Sequence, residues 1–347
     1  MTSPLSARHF NRRTFIASMG AASALAALTA CNPAVTGASG GSTETLNVGQ
    51  ISDSVAFFPL FVAEEKGFFT DEGVTLGERP RLGTGAKVAA ALKSGSIDLG
   101  AGVITDAFNL ESVQDDAVLV SSLVSEYYVD VVVGPDFDGP AESASLEDKV
   151  QALVGKNIGI TGPGSGTEAL LTFLFKKIGK DVQTDATLVN LGATASAAVG
   201  ALTAGRVDAL SFFQPIGQMV EASGDGVIYI SPQRGDIPEL EGALHGVVFS
   251  YSALADKKAE QVKGFNRAIE KALAFIRDDQ AGTAPLLQAY LQQTDQSTLD
   301  ALMEILPQET PASSAIDQQA YETAAAFHLD SGLVKEAPDF STFVYSD

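Results

Sequence analysis

Ala90-Ala-Leu-Lys-Ser-Gly-Ser-Ile-Asp98 and Gly200-Ala-Leu-Thr-Ala-Gly-Arg-Val-Asp208 are two copies of one pattern. Both read x-Ala-Leu-x-x-Gly-x-(Ile/Val)-Asp. In each, a helical run stops at a glycine and a short apolar stretch follows. Glycine closes helices because it enters the left-handed region without a Cβ penalty. Each copy therefore reads as a helix end that opens into a strand. Convergent capping would account for the glycine alone. The agreement extends over five positions, at the same place in each half of the chain. That favours two similar α/β units.

The surrounding sequence alternates in the same way. Residues 45–51 and 73–78 read as strands, with a helix over 60–67 between them. A helix over 86–94, a short strand at 97–100, a helix over 105–113 and apolar strands at 117–123 and 128–133 follow. The loop 136–145 then marks a boundary by composition, and the alternation restarts. Helices over 146–154, 167–179, 195–205 and 215–223 alternate with strands at 156–161, 187–190, 207–210 and 226–230. A Pro/Gly-rich connector at 231–241 leads to a strand at 244–250 that returns to the first unit. From Leu254 onward the apolar spacing is helical. Such βα alternation predicts mostly parallel sheets with helices on both faces.

The first thirty-one residues carry a different message. Asn11-Arg12-Arg13-Thr14-Phe15-Ile16 precedes an Ala-rich apolar run, 17–30, that ends at Cys31, the one cysteine of the chain. A basic start, a short apolar run and small residues before a cut site form an export signal. The run is too short and too poor in Leu and Ile for a membrane span. The paired arginines resemble a twin-arginine signal. Leu28-Thr29-Ala30-Cys31 resembles the lipobox of bacterial lipoproteins, whose cysteine becomes the lipid-bearing N-terminus. Residues 1–30 are thus expected to be a signal peptide and 31–45 a flexible Gly/Ser/Thr/Ala tether. The expected place of work is the extracytoplasmic face of the cell membrane.

Composition excludes several classes. The chain holds 22 Lys and Arg against 43 Asp and Glu, a formal net charge of −21. A surface this negative repels phosphate backbones, so nucleic acid is excluded as a partner. One cysteine permits no disulfide within the chain and no cysteine-based metal site. His245 and His328 lack metal-ligand spacing and read as structural.

At Pro59-Leu-Phe-Val-Ala-Glu-Glu-Lys-Gly-Phe-Phe69, Glu72-Gly73-Val74, Ala91–Asp98, Gly205-Arg-Val-Asp208 and Phe212-Phe-Gln-Pro215 the chain resembles one family. It is the branch of ABC-importer substrate-binding proteins that includes sulfonate, taurine, nitrate and thiamine-precursor binders. The resemblance covers nearly all of the chain after the tether. It implies the type II periplasmic-binding-protein fold: two α/β lobes with a hinge, the second inserted in the first, and a helical C-terminal part. Lobe 1 is expected to hold 46–134 and 244–347, and lobe 2 to hold 135–243. The resemblance also implies a monomer that captures a small organic solute by lobe closure and hands it to a membrane permease. No cofactor and no metal are implied. A fungal thiamine-pyrimidine synthase shares this fold, but uses clustered cysteines and histidine for iron; an enzyme of that type is the alternative.

In such a fold ligands lie between the lobes, at strand ends and helix starts. Ser52, Ser54 and Phe57 follow the first strand. Gly85 lies in Arg81-Leu-Gly-Thr-Gly-Ala86, whose glycines let backbone N–H groups approach a ligand. Thr105 and Asp106 open a helix, with Tyr127 and Tyr128 near the hinge. Asp106 could accept from an amine or amide, or be a solvated helix-start carboxylate. Gly164, Ser165, Gly166 and Thr167 belong to Gly162-Pro-Gly-Ser-Gly-Thr167, which leads into a helix. Free N–H groups and two hydroxyls there could hold an anionic or acceptor group without a basic residue. A bulky residue at 166 is then expected to block binding at little cost in stability. Thr194 offers a second helix start, and Phe213 and Gln214 complete the candidate set. Phe57, Tyr127 and Phe213 could stack on a flat ligand. A sulfonate-like anion would suit the Gly-rich helix start, and a pyrimidine would suit Phe57, Tyr127 and Asp106.

Overall fold

The structure is a computed structural model that describes residues 45–141 and 143–346. The expected signal peptide, Cys31 and the tether up to residue 44 lie outside the described residues.

The first lobe opens with β1 (Val48–Gln50), α1 (Phe58–Glu65), α2 (Phe68–Asp71) and α3 (Gly85–Ser94). It continues through β2 (Leu99–Val103), α4 (Ile104–Val113) and β3 (Ala117–Val124). The second lobe begins with β4 (Val129–Val133), α5 (Leu146–Gln151), β5 (Asn157–Ile160), α6 (Gly166–Lys177) and α7 (Val182–Asp185). It ends with β6 (Thr187–Asn190), α8 (Ala195–Thr203), β7 (Ala209–Phe213), α9 (Ile216–Ser223) and β8 (Val227–Ile230). The chain then returns through β9 (Gly246–Tyr251) into α10 (Ser252–Lys257), α11 (Ala259–Asp278) and α12 (Gln280–Tyr290). α13 (Gln296–Glu309), α14 (Gln318–Ser331) and α15 (Phe340–Phe343) follow.

The described residues form two sheets, with strand orders β1-β2-β9-β3 and β6-β5-β7-β4-β8. Both are mixed rather than mostly parallel. β9 runs antiparallel to β2 and β3, and β4 antiparallel to β7 and β8. These are the strands that enter from the other lobe. Each follows a crossing between lobes rather than a βα crossover within one sheet, so it is not held to the parallel direction that such crossovers impose. The expected strand at 73–78 reduces to one isolated bridge, Leu46 to Leu76, and a second bridge, Gln50 to Arg81, lies beyond it.

The lobe boundary also moves. The expectation put 46–134 in the first lobe, but β4 pairs wholly in the second sheet. The first crossing is therefore the short stretch between Val124 and Val129, through Tyr127 and Tyr128. Both tyrosines are buried. The crossing has no exposed Gly/Pro composition because it runs through the interior. The second crossing lies between β8 and β9.

The duplicated pattern has a structural counterpart. Gly95 and Gly205 close α3 and α8 with φ of +70° and +62°. Asp98 Oδ2 accepts from Asn47 N at 2.8 Å and Nδ2 at 3.2 Å. Asp208 Oδ2 accepts from Asn157 N at 2.7 Å and Nδ2 at 3.1 Å. In each lobe the aspartate ties the strand after the helix to the asparagine at the start of the neighbouring strand, 51 residues upstream.

The C-terminal part is not confined to the first lobe. α11 packs on α1 there, whereas α14 packs on α6 of the second lobe. Phe108 of α4 stacks on Phe343 and meets Tyr321 and His328 of α14 edge-on. Phe173 of α6 meets Phe327 of α14. One apolar cluster thus runs from Val88 and Phe108, through Tyr127 and Phe327, to Leu170 and Ile158.

Candidate functional site

A cavity of about 640 Å³ lies between the lobes. That volume suits a small organic molecule. The first lobe supplies Ser52, Ser54 and Phe57, the turn 83–86, and Asp106 and Asn109 of α4. Thr84 caps α3 by accepting from the Lys87 N–H. Gly85 is required by close approach: a Cβ there would stand 1.8 Å from Asp106 Oδ1. The turn thereby lets Asp106 face the cavity, with its Oδ2 accepting from the Val103 N–H at 3.0 Å.

The second lobe supplies 161–167, Asn190, Gly192, Ala193 and Phe213. Ser165 caps α6, and the Glu168 side chain turns back to accept from the Gly164 N–H at 2.5 Å. Gln183 holds the other Glu168 oxygen at 2.6 Å. Thr167 Oγ1 accepts from Thr161 N at 3.0 Å and lies 2.7 Å from Ser165 Oγ. The two hydroxyls expected to hold a ligand are thus already engaged within the loop. Asn109 of α4 reaches across the cleft and donates to Gly164 O at 3.0 Å.

The crossings form the floor with Tyr128 and His245. The Tyr128 hydroxyl lies 3.3 Å from Ser54 Oγ. His245 donates its backbone N–H to Val124 O at 3.0 Å, and its carbonyl accepts from Ile104 N at 2.8 Å.

Of the residues expected to bind, the structure gathers Ser52, Ser54, Phe57, Gly85, Asp106, Gly164, Ser165, Gly166, Thr167 and Phe213 around this cavity. Four lie elsewhere. Thr105 is fully buried, with its hydroxyl 2.5 Å from His328 Nε2. Tyr127 stands behind the wall and donates to Gly166 O at 2.6 Å, which positions the start of α6. Thr194 is exposed, outside the lining formed by its neighbours Gly192 and Ala193. Gln214 is buried and donates to Glu309 Oε1 at 2.7 Å. Asn109, Thr161, Asn190 and His245 are lining residues that the sequence reading did not place there. Asn109 had a signal: it stands three residues after Asp106, on the same helix face.

Gly166 itself corrects one expectation. A Cβ at 166 would come within 3.2 Å of the Tyr127 hydroxyl and 3.4 Å of Thr105 Oγ1. A leucine would overpack a closed layer, so it costs stability as well as binding.

The electrostatics oppose an anion. Burial pushes the Asp106 carboxyl up to about 6, against the lowering effect of the Val103 N–H. Burial, with His328 beside it, holds His245 well below the usual histidine range, so its ring is neutral. Lys93, exposed at the rim, is the one lysine or arginine among the described lining residues. Arg79 is occupied by Gln50 and Glu64, and Arg81 by Asp53. The start of α6 already holds a carboxylate of its own, Glu168. Among the described residues no cluster of three or more His, Cys, Asp or Glu could hold a metal ion.

Comparison with known proteins bears on the fold. A structure from Bordetella bronchiseptica RB50 is similar at 25% identity and a TM-score of 0.69, over 86% of this chain and 91% of that one. The alkanesulfonate-binding protein SsuA of Xanthomonas axonopodis pv. citri, bound to MOPS, is similar at 19% identity and a TM-score of 0.66, over 84% and 94%. The aliphatic sulphonate-binding SsuA of Escherichia coli is similar at 17% and 0.66, over 88% and 93%. No curated protein matches the chain. The architecture is the periplasmic-binding-protein fold. A profile of NMT1/THI5-like proteins matches residues 54–282, well over half of the sequence, and the chain belongs to that family.

Proposed function

We propose that this protein is the solute-binding component of an ABC importer. It captures a small organic molecule between its lobes and delivers it to a membrane permease. The carrying observation is the cavity itself, bounded by two duplicated lobes and open to a ligand of drug-like size. We read the solute as a flat, amine-bearing heteroaromatic rather than a sulfonate. Phe57, Tyr128 and Phe213 supply ring surfaces, and Asp106 is an acceptor. A sulfonate would meet the Asp106 carboxylate and no arginine among the described lining residues. Calorimetric titration with an aminopyrimidine such as cytosine, and separately with methanesulfonate, tests the reading. Binding of cytosine alone supports it, and binding of methanesulfonate alone refutes the solute class. Recovery of a chemically altered ligand from the complex would move the protein into the enzyme class.

The anchoring reading rests on Leu28–Cys31. Cys31→Ser should shift the protein from the membrane fraction to a soluble or unprocessed form. Unchanged fractionation would refute lipid attachment.

A further inference from the structure

We propose that the His245 imidazole reads the hydrogen-bonding edge of the solute at the floor of the cleft. The solute class is then a heteroaromatic or amide edge that can pair with one ring nitrogen. This deepens the solute-binding reading above and rests on it.

Three observations converge on this ring. First, His245 is only 1% exposed, yet it lines the cavity. Second, its Nδ1 has no hydrogen-bond partner among the described residues. Among the described residues, the other buried side-chain atoms without partners belong to residues away from the cavity lining. Buried polar groups in folded proteins are nearly always paired, and this unpaired one belongs to a residue of the cavity lining. Third, the ring is held in place before any solute arrives. Tyr127 packs on it at 4.3 Å between centroids and Tyr128 meets it edge-on at 4.6 Å. Its backbone bonds to Val124 and Ile104 fix the segment on both sides. Its Cε1 would stand 3.5 Å from a Cβ on Gly166, which sets the ring against the start of α6.

The neutral state matters for the chemistry. A neutral imidazole offers one donor and one acceptor, whereas an imidazolium offers only donors. The ring can therefore discriminate a donor from an acceptor on the solute.

Two variants test this, each measured by thermal melting without ligand and by calorimetry with cytosine. His245→Phe keeps a ring and removes both nitrogens. It should melt at or above the wild-type temperature, since no bond within the protein is lost. It should lose roughly ten- to a hundredfold in affinity, the effect of one buried hydrogen bond left unmade. His245→Gln, which restores a donor and an acceptor, should recover part of that loss. Undiminished affinity in His245→Phe overturns the proposal. So does a clear drop in melting temperature, because the nitrogen would then serve the fold. If the wild type binds neither cytosine nor methanesulfonate, the solute reading fails by itself. The melting comparison then still decides whether the nitrogen is free for a ligand.

Discussion

Asp98→Ala should cost about 3–5 kcal/mol of folding stability, the range for removing one partner of a buried ion pair. Asp98 Oδ2 accepts from Lys258 Nζ at 2.9 Å, with the two side chains 13% and 7% exposed. The same oxygen also accepts from the N–H and side-chain amide of Asn47. Alanine deprives all three donors of this acceptor at once. Lys258 would keep its bond to Thr45 O but lose the Asp98 carboxylate from a site where its side chain is 7% exposed. Asp208→Ala removes the equivalent tie in the second lobe, where the bonds to Asn157 are exposed and, among the described residues, no lysine pairs with the aspartate. It should cost only about 1 kcal/mol, the net worth of an ordinary hydrogen bond. Urea melts of both variants measure the difference. Equal losses would mean that Lys258 contributes nothing to the first tie.

Asp106→Asn should move stability and binding in opposite directions. The folded chain raises the Asp106 carboxyl to about 6 by burying it. An unfolded aspartate titrates near 3.9. The folded state therefore binds a proton that the unfolded state has released, and the stability this gives is full below about pH 4. It is lost as the pH rises through 6. Asparagine resembles the protonated form and can still accept from the Val103 N–H. The variant should match the wild type near pH 4 and exceed it by about 3 kcal/mol above pH 7. Its affinity for an amine-bearing solute should fall about a hundredfold, since a charge-assisted bond is lost. For the wild type, that affinity should weaken roughly tenfold between pH 7 and pH 5 as the carboxylate protonates. A variant less stable than wild type at pH 7 would show that the carboxylate is paired in the fold.

Much of this architecture was legible because it is local. A glycine that ends a helix and an aspartate three residues later are written within nine residues, twice. Their partners, Asn47 and Asn157, are 51 residues away, and nothing in the short pattern announces them. The first crossing was misplaced for a related reason. Boundaries are sought in exposed Pro/Gly stretches, and Gly134-Pro135 looked like one. The true crossing is built from buried tyrosines under α14, so it reads as part of a strand. In the site, the glycine turns and Asp106 were readable from helix-start chemistry. His245 was not, because a lone histidine has no spacing to interpret. Its position comes only from the meeting of α4, α6 and the second crossing.

The strand order of the first sheet has a consequence for how the chain is made. β9 lies between β2 and β3, yet more than a hundred residues of the second lobe separate it from them. A ribosome releases the chain from its N-terminus, and domains form as units behind it. The second lobe has all five strands once β8 emerges. The first lobe, begun earlier, still has a gap at its centre. Until residue 251 is released, β2 and β3 each present an open edge that invites pairing with another chain. The lobe that starts first thus finishes last, and the interval between the two is when this protein most needs protection from aggregation.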